Sequence, residues 1–199
     1  MSEQNDLTNL HVQRKLRPKI EDVIPIMVSE DNQQNALDFV AWLRENKMSP
    51  CWVPRLQNTW NVNCKGRMLC RIGHTKRNDW MCTLYLTNIE RYEGIILSEN
   101  LQDFVWDRVT FCVFARNMDR PADAPEIKRV ASMGAPPGTT CKWKAKCAVT
   151  VTICGKEFQY KCGNDTFKSY IFTNPNKAEI AAIKRLVQLE KQARYEIHK

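Results

Sequence analysis

Nine cysteines and a short row of alternating lysines are the residues of this 199-residue chain whose types and spacing could do chemistry. Thiolates bind soft metals or act as nucleophiles, and ammonium groups bind phosphate. Structural zinc takes four thiolate or imidazole ligands in a tetrahedron, usually supplied as close pairs on tight turns. Cys112, Cys141, Cys147 and Cys162 could form a four-thiolate zinc site across the proline-rich middle of the chain. None of these pairs has the two-residue gap typical of zinc ligands, so reduced, packed thiols are the competing reading. Cys64, Cys70 and Cys82 fall where strand periodicity wants small apolar residues and are expected in the core. Cys51, next to Trp52, reads as packed or half-exposed. The odd count and the absence of an export pattern argue against a disulfide framework.

The lysine row is Lys142, Lys144 and Lys146, alternating with Trp143 and Ala145. On a strand this places three ammonium groups on one face and the indole on the other. Rows of cations gain affinity for phosphate backbones by releasing counterions, and an aromatic ring can stack on a base. Lys161 joins the same group, and Lys156 and Lys168 extend it. The competing reading is a solvated lysine edge that discourages edge-to-edge pairing. The charge balance favours an anionic partner such as nucleic acid. Residues 1–125 carry 16 Lys/Arg and 16 Asp/Glu, whereas residues 126–199 carry 14 against 6, so the formal excess of +8 falls entirely in the last third. Zinc held by four thiolates would reduce that excess by about 2.

Enzymatic chemistry has little to build on. The three histidines are His11, His74 and His198, and the chain shows no phosphate-cradling glycine loop, nucleophile elbow or paired-histidine metal motif. His74 lies beside Lys76, Arg77 and Asp79 and is expected to face solvent; a cysteine nucleophile activated by it is the enzymatic alternative. The other alternative is a small-molecule pocket for an aromatic or cationic ligand, lined by Trp52, Trp60, Trp80 and Tyr85, with Glu90 and Glu93 near its mouth. By analogy only, such an arrangement is like the effector-binding domains of bacterial drug-sensing regulators. No apolar run approaches the roughly 18 residues of a membrane span, and Met1–Thr8 has no secretory or transit pattern. The expectation is a cytoplasmic binding protein with no membrane partner.

The elements that must position these residues follow from periodicity. Residues 1–18 end in Arg14, Lys15 and Arg17 before Pro18 and read as a mobile, partly helical basic arm. A capping box at Asp31–Gln34 opens a helix to about Lys47, with Ala36, Leu37, Val40 and Leu43 on one face. The period then drops to two. Trp60, Val62 and Cys64 form one strand, Lys65-Gly66 a turn, Met68, Cys70 and Ile72 a second strand, and Trp80, Cys82, Leu84 and Leu86 a third. Ile95–Ile96 reads as a short strand, and Ser98 as the cap of a helix bearing Leu101, Val105 and Val109. After a proline-rich linker come a hairpin turning at Gly155-Lys156 and a long helix capped by Asn174 with Pro175 in its first turn. Glu190 and Arg194 are spaced to pair at i,i+4.

The expected fold class is α+β, a helix–antiparallel meander–helix two-layer body plus a C-terminal β-hairpin and long helix. Its parts are an arm at 1–18, a body at 19–120, a linker or long loop at 121–140, and a hairpin–helix region at 141–199 that packs on the body or stands apart.

The stretch from Thr152 to Phe158, with Cys162 behind it and Phe172-Thr173-Asn174-Pro175 further on, resembles the end of a group of small Firmicutes proteins. The segment Asn35–Asn46 resembles their first helix. The resemblance implies cysteines before and after the hairpin in the manner of a metal knuckle, and it brings no known activity. Here only Cys112 stands where that group has closely spaced cysteines, and Cys154 takes an aromatic position.

Overall fold

A computed structural model of the chain describes residues 7–74, 79–109, 149–161 and 169–196. Helices and an antiparallel sheet make it an α+β protein. Chain contacts divide it into two units, residues 1–88 with 171–199, and residues 89–170.

In the first unit, helices α1 (Leu10–Leu16), α2 (Ile20–Met27) and α3 (Glu30–Glu45) precede strands β1 (Cys51–Trp52), β2 (Thr59–Cys64), β3 (Arg67–His74) and β4 (Trp80–Tyr85). Lys65 and Gly66 turn the β2–β3 hairpin as expected, with φ of 52° and 73°, the left-handed pair that a two-residue hairpin turn requires. Register pairs Trp60 with Ile72 and Ile72 with Cys82, and Val62 with Cys70 and Cys70 with Leu84. Trp60, Val62, Cys70, Ile72, Cys82 and Leu84 therefore share one sheet face, and all are buried. The three core cysteines are where the alternation puts them.

Two helical details differ from the periodicity reading. No element is expected between Pro18 and Asp31, yet α2 fills it, because Ile20, Val23 and Ile24 have helical spacing and bury one face. The next helix starts earlier than Asp31, with Ser29 at its N-cap.

The basic segment expected to be a mobile arm contains α1, whose one buried residue is Gln13. The Gln13 amide donates to the Leu7 carbonyl at 2.7 Å and to Asn58 Oδ1. Its oxygen accepts from Asn58 N at 3.0 Å and Trp52 Nε1 at 3.3 Å. Around it, Gln57 Nε2 donates to the Thr8 carbonyl at 2.6 Å and Arg14 Nε to the Pro54 carbonyl at 3.3 Å. The helix is docked on the β1–β2 loop by polar contacts in place of an apolar stripe, so hydrophobic periodicity does not report it.

The second unit holds a short 3-10 turn at Ile89–Arg91, α4 (Glu93–Ser98), α5 (Gln102–Trp106) and a two-stranded sheet of β5 (Val149–Ile153) and β6 (Lys156–Lys161). Ile95 and Ile96 lie in α4, not in a strand, and Ser98 ends that helix, its hydroxyl donating to the Ile95 carbonyl at 3.1 Å. Cys154 and Gly155, with φ of 48° and 73°, turn the hairpin one residue before the expected Gly155-Lys156. Trp106 Nε1 donates to the Ile153 carbonyl at 2.8 Å, and Glu93 Oε1 accepts from Gly155 N at 2.9 Å. The expected linker, residues 121–140, lies outside the described residues.

Strand β7 (Ser169–Thr173), in which the unit boundary falls, pairs beside β4 and completes the sheet order β1-β2-β3-β4-β7. Asn174 does not cap the last helix. Its backbone N donates to the Trp80 carbonyl, and its Oδ1 accepts from Trp80 N, both at 2.9 Å. The cap is Asn176, whose Oδ1 accepts from Glu179 N while Asn176 N donates to Glu179 Oε2, each at 3.0 Å, a reciprocal capping box. Helix α6 (Lys177–Glu196) packs on α3 and β3. It is buried over much of its circumference, including Ile183, Leu186, Val187, Leu189 and Ala193.

The expected i,i+4 pair on α6 is an interior one. Glu190 is 0 % exposed and Arg194 3 %. Glu190 accepts from Arg194 Nε at 2.8 Å, Thr87 Oγ1 at 2.9 Å, Asn88 Nδ2 at 2.8 Å and Asn88 N at 3.1 Å. Arg194 donates to the carbonyls of Arg67, Met68 and Tyr85 at 3.0, 3.1 and 3.0 Å. The carboxylate's acceptor sites are filled, and four guanidinium N–H groups are used. Glu190→Ala is expected to cost about 3–5 kcal/mol in urea unfolding, because it strands a buried guanidinium. Arg194→Lys should not restore wild-type stability, since one ammonium cannot fork to three carbonyls and a carboxylate. A loss below about 1 kcal/mol for Glu190→Ala would contradict the arrangement.

Candidate functional site

Only part of the expected site chemistry falls within the described residues. The metal candidates Cys112, Cys141, Cys147 and Cys162 lie outside them, as do Lys142, Trp143, Lys144 and Lys146. Among the described residues no three His, Cys, Asp or Glu side chains are grouped to hold a metal ion. Lys161 lies within β6, where its backbone pairs with Val149, three residues after Lys146 in sequence.

The described cations of the last third are largely engaged within the protein. Arg194 is buried against Glu190. Lys191 Nζ donates to the Asn46 carbonyl at 2.7 Å, and Lys184 Nζ lies 5.7 Å from the centre of the Trp42 ring. Arg185 also has a partner. In the second unit Lys156, expected to extend the lysine row, is exposed and sits 5.0 Å from the Trp106 ring centre and 5.5 Å from that of Phe158. A cation held over an aromatic face is attracted by the ring quadrupole. These groups serve packing.

Of the four residues expected to line a ligand pocket, Trp60 and Trp80 line one cavity of the first unit, with Ile20, Ile24, Ile72 and His74. Its volume is about 20 Å³, room for one water molecule and far below the several hundred Å³ of a small-molecule site. The buried Trp80 Nε1 has no acceptor among the described residues. Trp52 and Tyr85 are absent from this lining. Trp52 is tied to Gln13, and the Tyr85 carbonyl accepts from Arg194. A more open groove of about 630 Å³ lies at the C-terminal ends of α3 and α6. Its walls are Asn46, Met48, Gln188, Lys191, Tyr195 and their neighbours, not tryptophans.

His74 does not face solvent as expected. It ends β3, lines the small cavity, and its Nε2 is hydrogen bonded to the Met27 carbonyl. It is thereby occupied with main chain. Burial pushes the Cys82 thiol well up, and neighbouring Cys70 adds to the effect. Burial, and then the Glu93 carboxylate, raise Cys154 to about 11. Thiols shifted this way are protonated at neutral pH and poor nucleophiles. Cys51 is the exposed one of the five described cysteines.

Among the described residues no helix is long and apolar enough to cross a membrane. Comparison of the chain with protein-family models, curated proteins and solved structures finds no match. A functional reading therefore rests on the residues of this chain alone.

Native-state alkylation at pH 8, read by mass spectrometry, should label Cys51 ahead of Cys64, Cys70, Cys82 and Cys154. Cys154 should gain rate about tenfold per pH unit up to its raised pKa. Labelling of Cys154 as fast as Cys51 at pH 8 would contradict the burial assigned to it.

Proposed function

We propose that this chain is a non-enzymatic nucleic-acid-binding protein whose contact segment is Lys142–Lys146. In this reading Lys142, Lys144, Lys146 and Lys161 meet phosphate groups, and Trp143 stacks on a base. One observation carries it. Lys156, Lys184, Lys191 and Arg194 make contacts within the protein, whereas residues 127–155 contain Lys128, Arg129, Lys142, Lys144 and Lys146 and no Asp or Glu. Such a run contains no neutralising carboxylate in its own sequence, and nucleic acid is the common polyanion that rewards it. Lys161 supports the same placement, since only three residues of chain, at most about 11 Å, separate Lys146 from the residue that pairs with it.

Binding of labelled single-stranded RNA and duplex DNA at two salt concentrations tests this. A steep salt dependence is expected, and Lys142→Gln/Lys144→Gln/Lys146→Gln should flatten the slope of log affinity against log salt by about 2 to 3. No binding of either polymer at low salt removes the reading. A zinc ion on Cys112, Cys141, Cys147 and Cys162 is the accompanying proposal. Elemental analysis of the purified chain should find about one zinc per chain, four thiolates making one tetrahedral site. Metal-free protein with native stability excludes it.

A further inference from the structure

In the first unit two segments far apart in sequence are rich in cations. Residues 7–20 hold Arg14, Lys15, Arg17 and Lys19 without a carboxylate, and residues 46–78 hold seven Lys/Arg and again none. Gln13 brings the two together by docking α1 on the β1–β2 loop, and Arg14 Nε reaches the carbonyl of Pro54, the residue before Arg55. Arg14, Lys15, Arg17 and Arg55 are all exposed. The nearest acids in sequence, Glu21 and Asp22, lie beside Arg44. Glu21 is ion-paired with it, and Asp22 adds to the field that raises its pKa.

We propose that α1 and the β1–β2 loop form a phosphate-binding face, with Arg14, Lys15, Arg17 and Arg55 gripping a nucleic-acid backbone. This rests on the nucleic-acid reading above and adds a contact in a different unit. Three of the four cations are arginines, whose planar fork matches phosphate oxygens in pairs. Leu16 is 62 % exposed and Leu56 40 %, which raises an anionic membrane as the rival partner. The shape of α1 argues against it. Interfacial helices bury a continuous apolar face in the lipid, whereas α1 is seven residues long and its outward leucine is flanked by Lys15 and Arg17. Isolated exposed leucines are ordinary on protein surfaces.

The test uses the full chain with labelled single-stranded RNA, labelled duplex DNA, and vesicles of phosphatidylcholine with or without phosphatidylserine. Arg14→Gln/Arg55→Gln is compared with Arg91→Gln/Lys177→Gln, which removes the same charge from two exposed positions outside both segments. The first pair should flatten the salt slope of nucleic-acid binding by about 1.5 to 2 and the second should leave it nearly unchanged. Arg55→Gln alone, which spares the Arg14–Pro54 bond, should give about half the effect. Equal losses in both pairs would mean bulk charge only and overturn the face. So would loss of phosphatidylserine-vesicle binding with nucleic-acid affinity intact, which would assign the surface to membranes. If Lys142→Gln/Lys144→Gln/Lys146→Gln abolishes binding and Arg14→Gln/Arg55→Gln changes nothing, the face fails while the parent reading stands. Absence of nucleic-acid binding by the unaltered chain overturns both.

Discussion

A carboxylate and a guanidinium removed from water are tolerated only when nearly every polar atom they carry finds a partner. Glu190 and Arg194 meet that requirement on one helix, using Thr87 and Asn88 for the carboxylate and three main-chain carbonyls for the guanidinium. Those carbonyls belong to the start of β3 and the end of β4. The pair therefore joins the C-terminal helix to two strands more than one hundred residues earlier in the chain. Shifting α6 by one residue would turn both charged groups away from their partners, so the network fixes register as well as position. The apolar seam of Ile183, Leu186, Val187 and Leu189 supplies the larger share of burial, but a hydrophobic seam is less particular about register.

This constraint bears on what the charge of the last helix can do. A long basic helix reads naturally as a surface for an anionic partner. Here the helix is buried over much of its circumference, and Arg194, Lys191 and Lys184 hold a carboxylate, a carbonyl and a tryptophan face. Several reactive groups of the body are similarly committed. His74 bonds to main chain, and the thiols of Cys70 and Cys82 are buried in the sheet face. The cavity between Trp60 and Trp80 is too small for a metabolite. Binding through cations that stand in carboxylate-free stretches of the sequence is the chemistry proposed.

The sheet was legible in the sequence because its face alternates cleanly. Trp60, Val62, Cys64 and Trp80, Cys82, Leu84 are buried as period two requires, and Lys65-Gly66 is a strong turn signal. The middle of α3 was legible for the same reason at period 3.6. Helix α2 was hidden by its short length and by Pro25, which the helix contains. The docking of helix α1 was hidden because a buried glutamine, not an apolar stripe, holds it. Asn174 looked like a cap because Asn-Pro commonly opens a helix, but its side chain bonds to the sheet edge, and Asn176 takes the role. The Glu190–Arg194 spacing was visible and its burial was not, since an i,i+4 pair reads the same on either side of a helix. The ring contacts of Lys156 were not legible, since no spacing rule places Trp106 and Phe158 beside it. The carboxylate-free segment 46–78 was present in the sequence but lost in a balance taken over 125 residues. Docking of α1 gives that segment its significance.

The most direct check on the central claim, that α6 is an interior element locked by its buried ion pair, is native-state hydrogen exchange read peptide by peptide. Amides from Leu186 to Ala193 should exchange only with the same opening that releases β3 and β4, and their protection should fall together as denaturant is added. Exchange of that segment well before the strands, as expected for a helix lying loosely on the surface, would contradict the account.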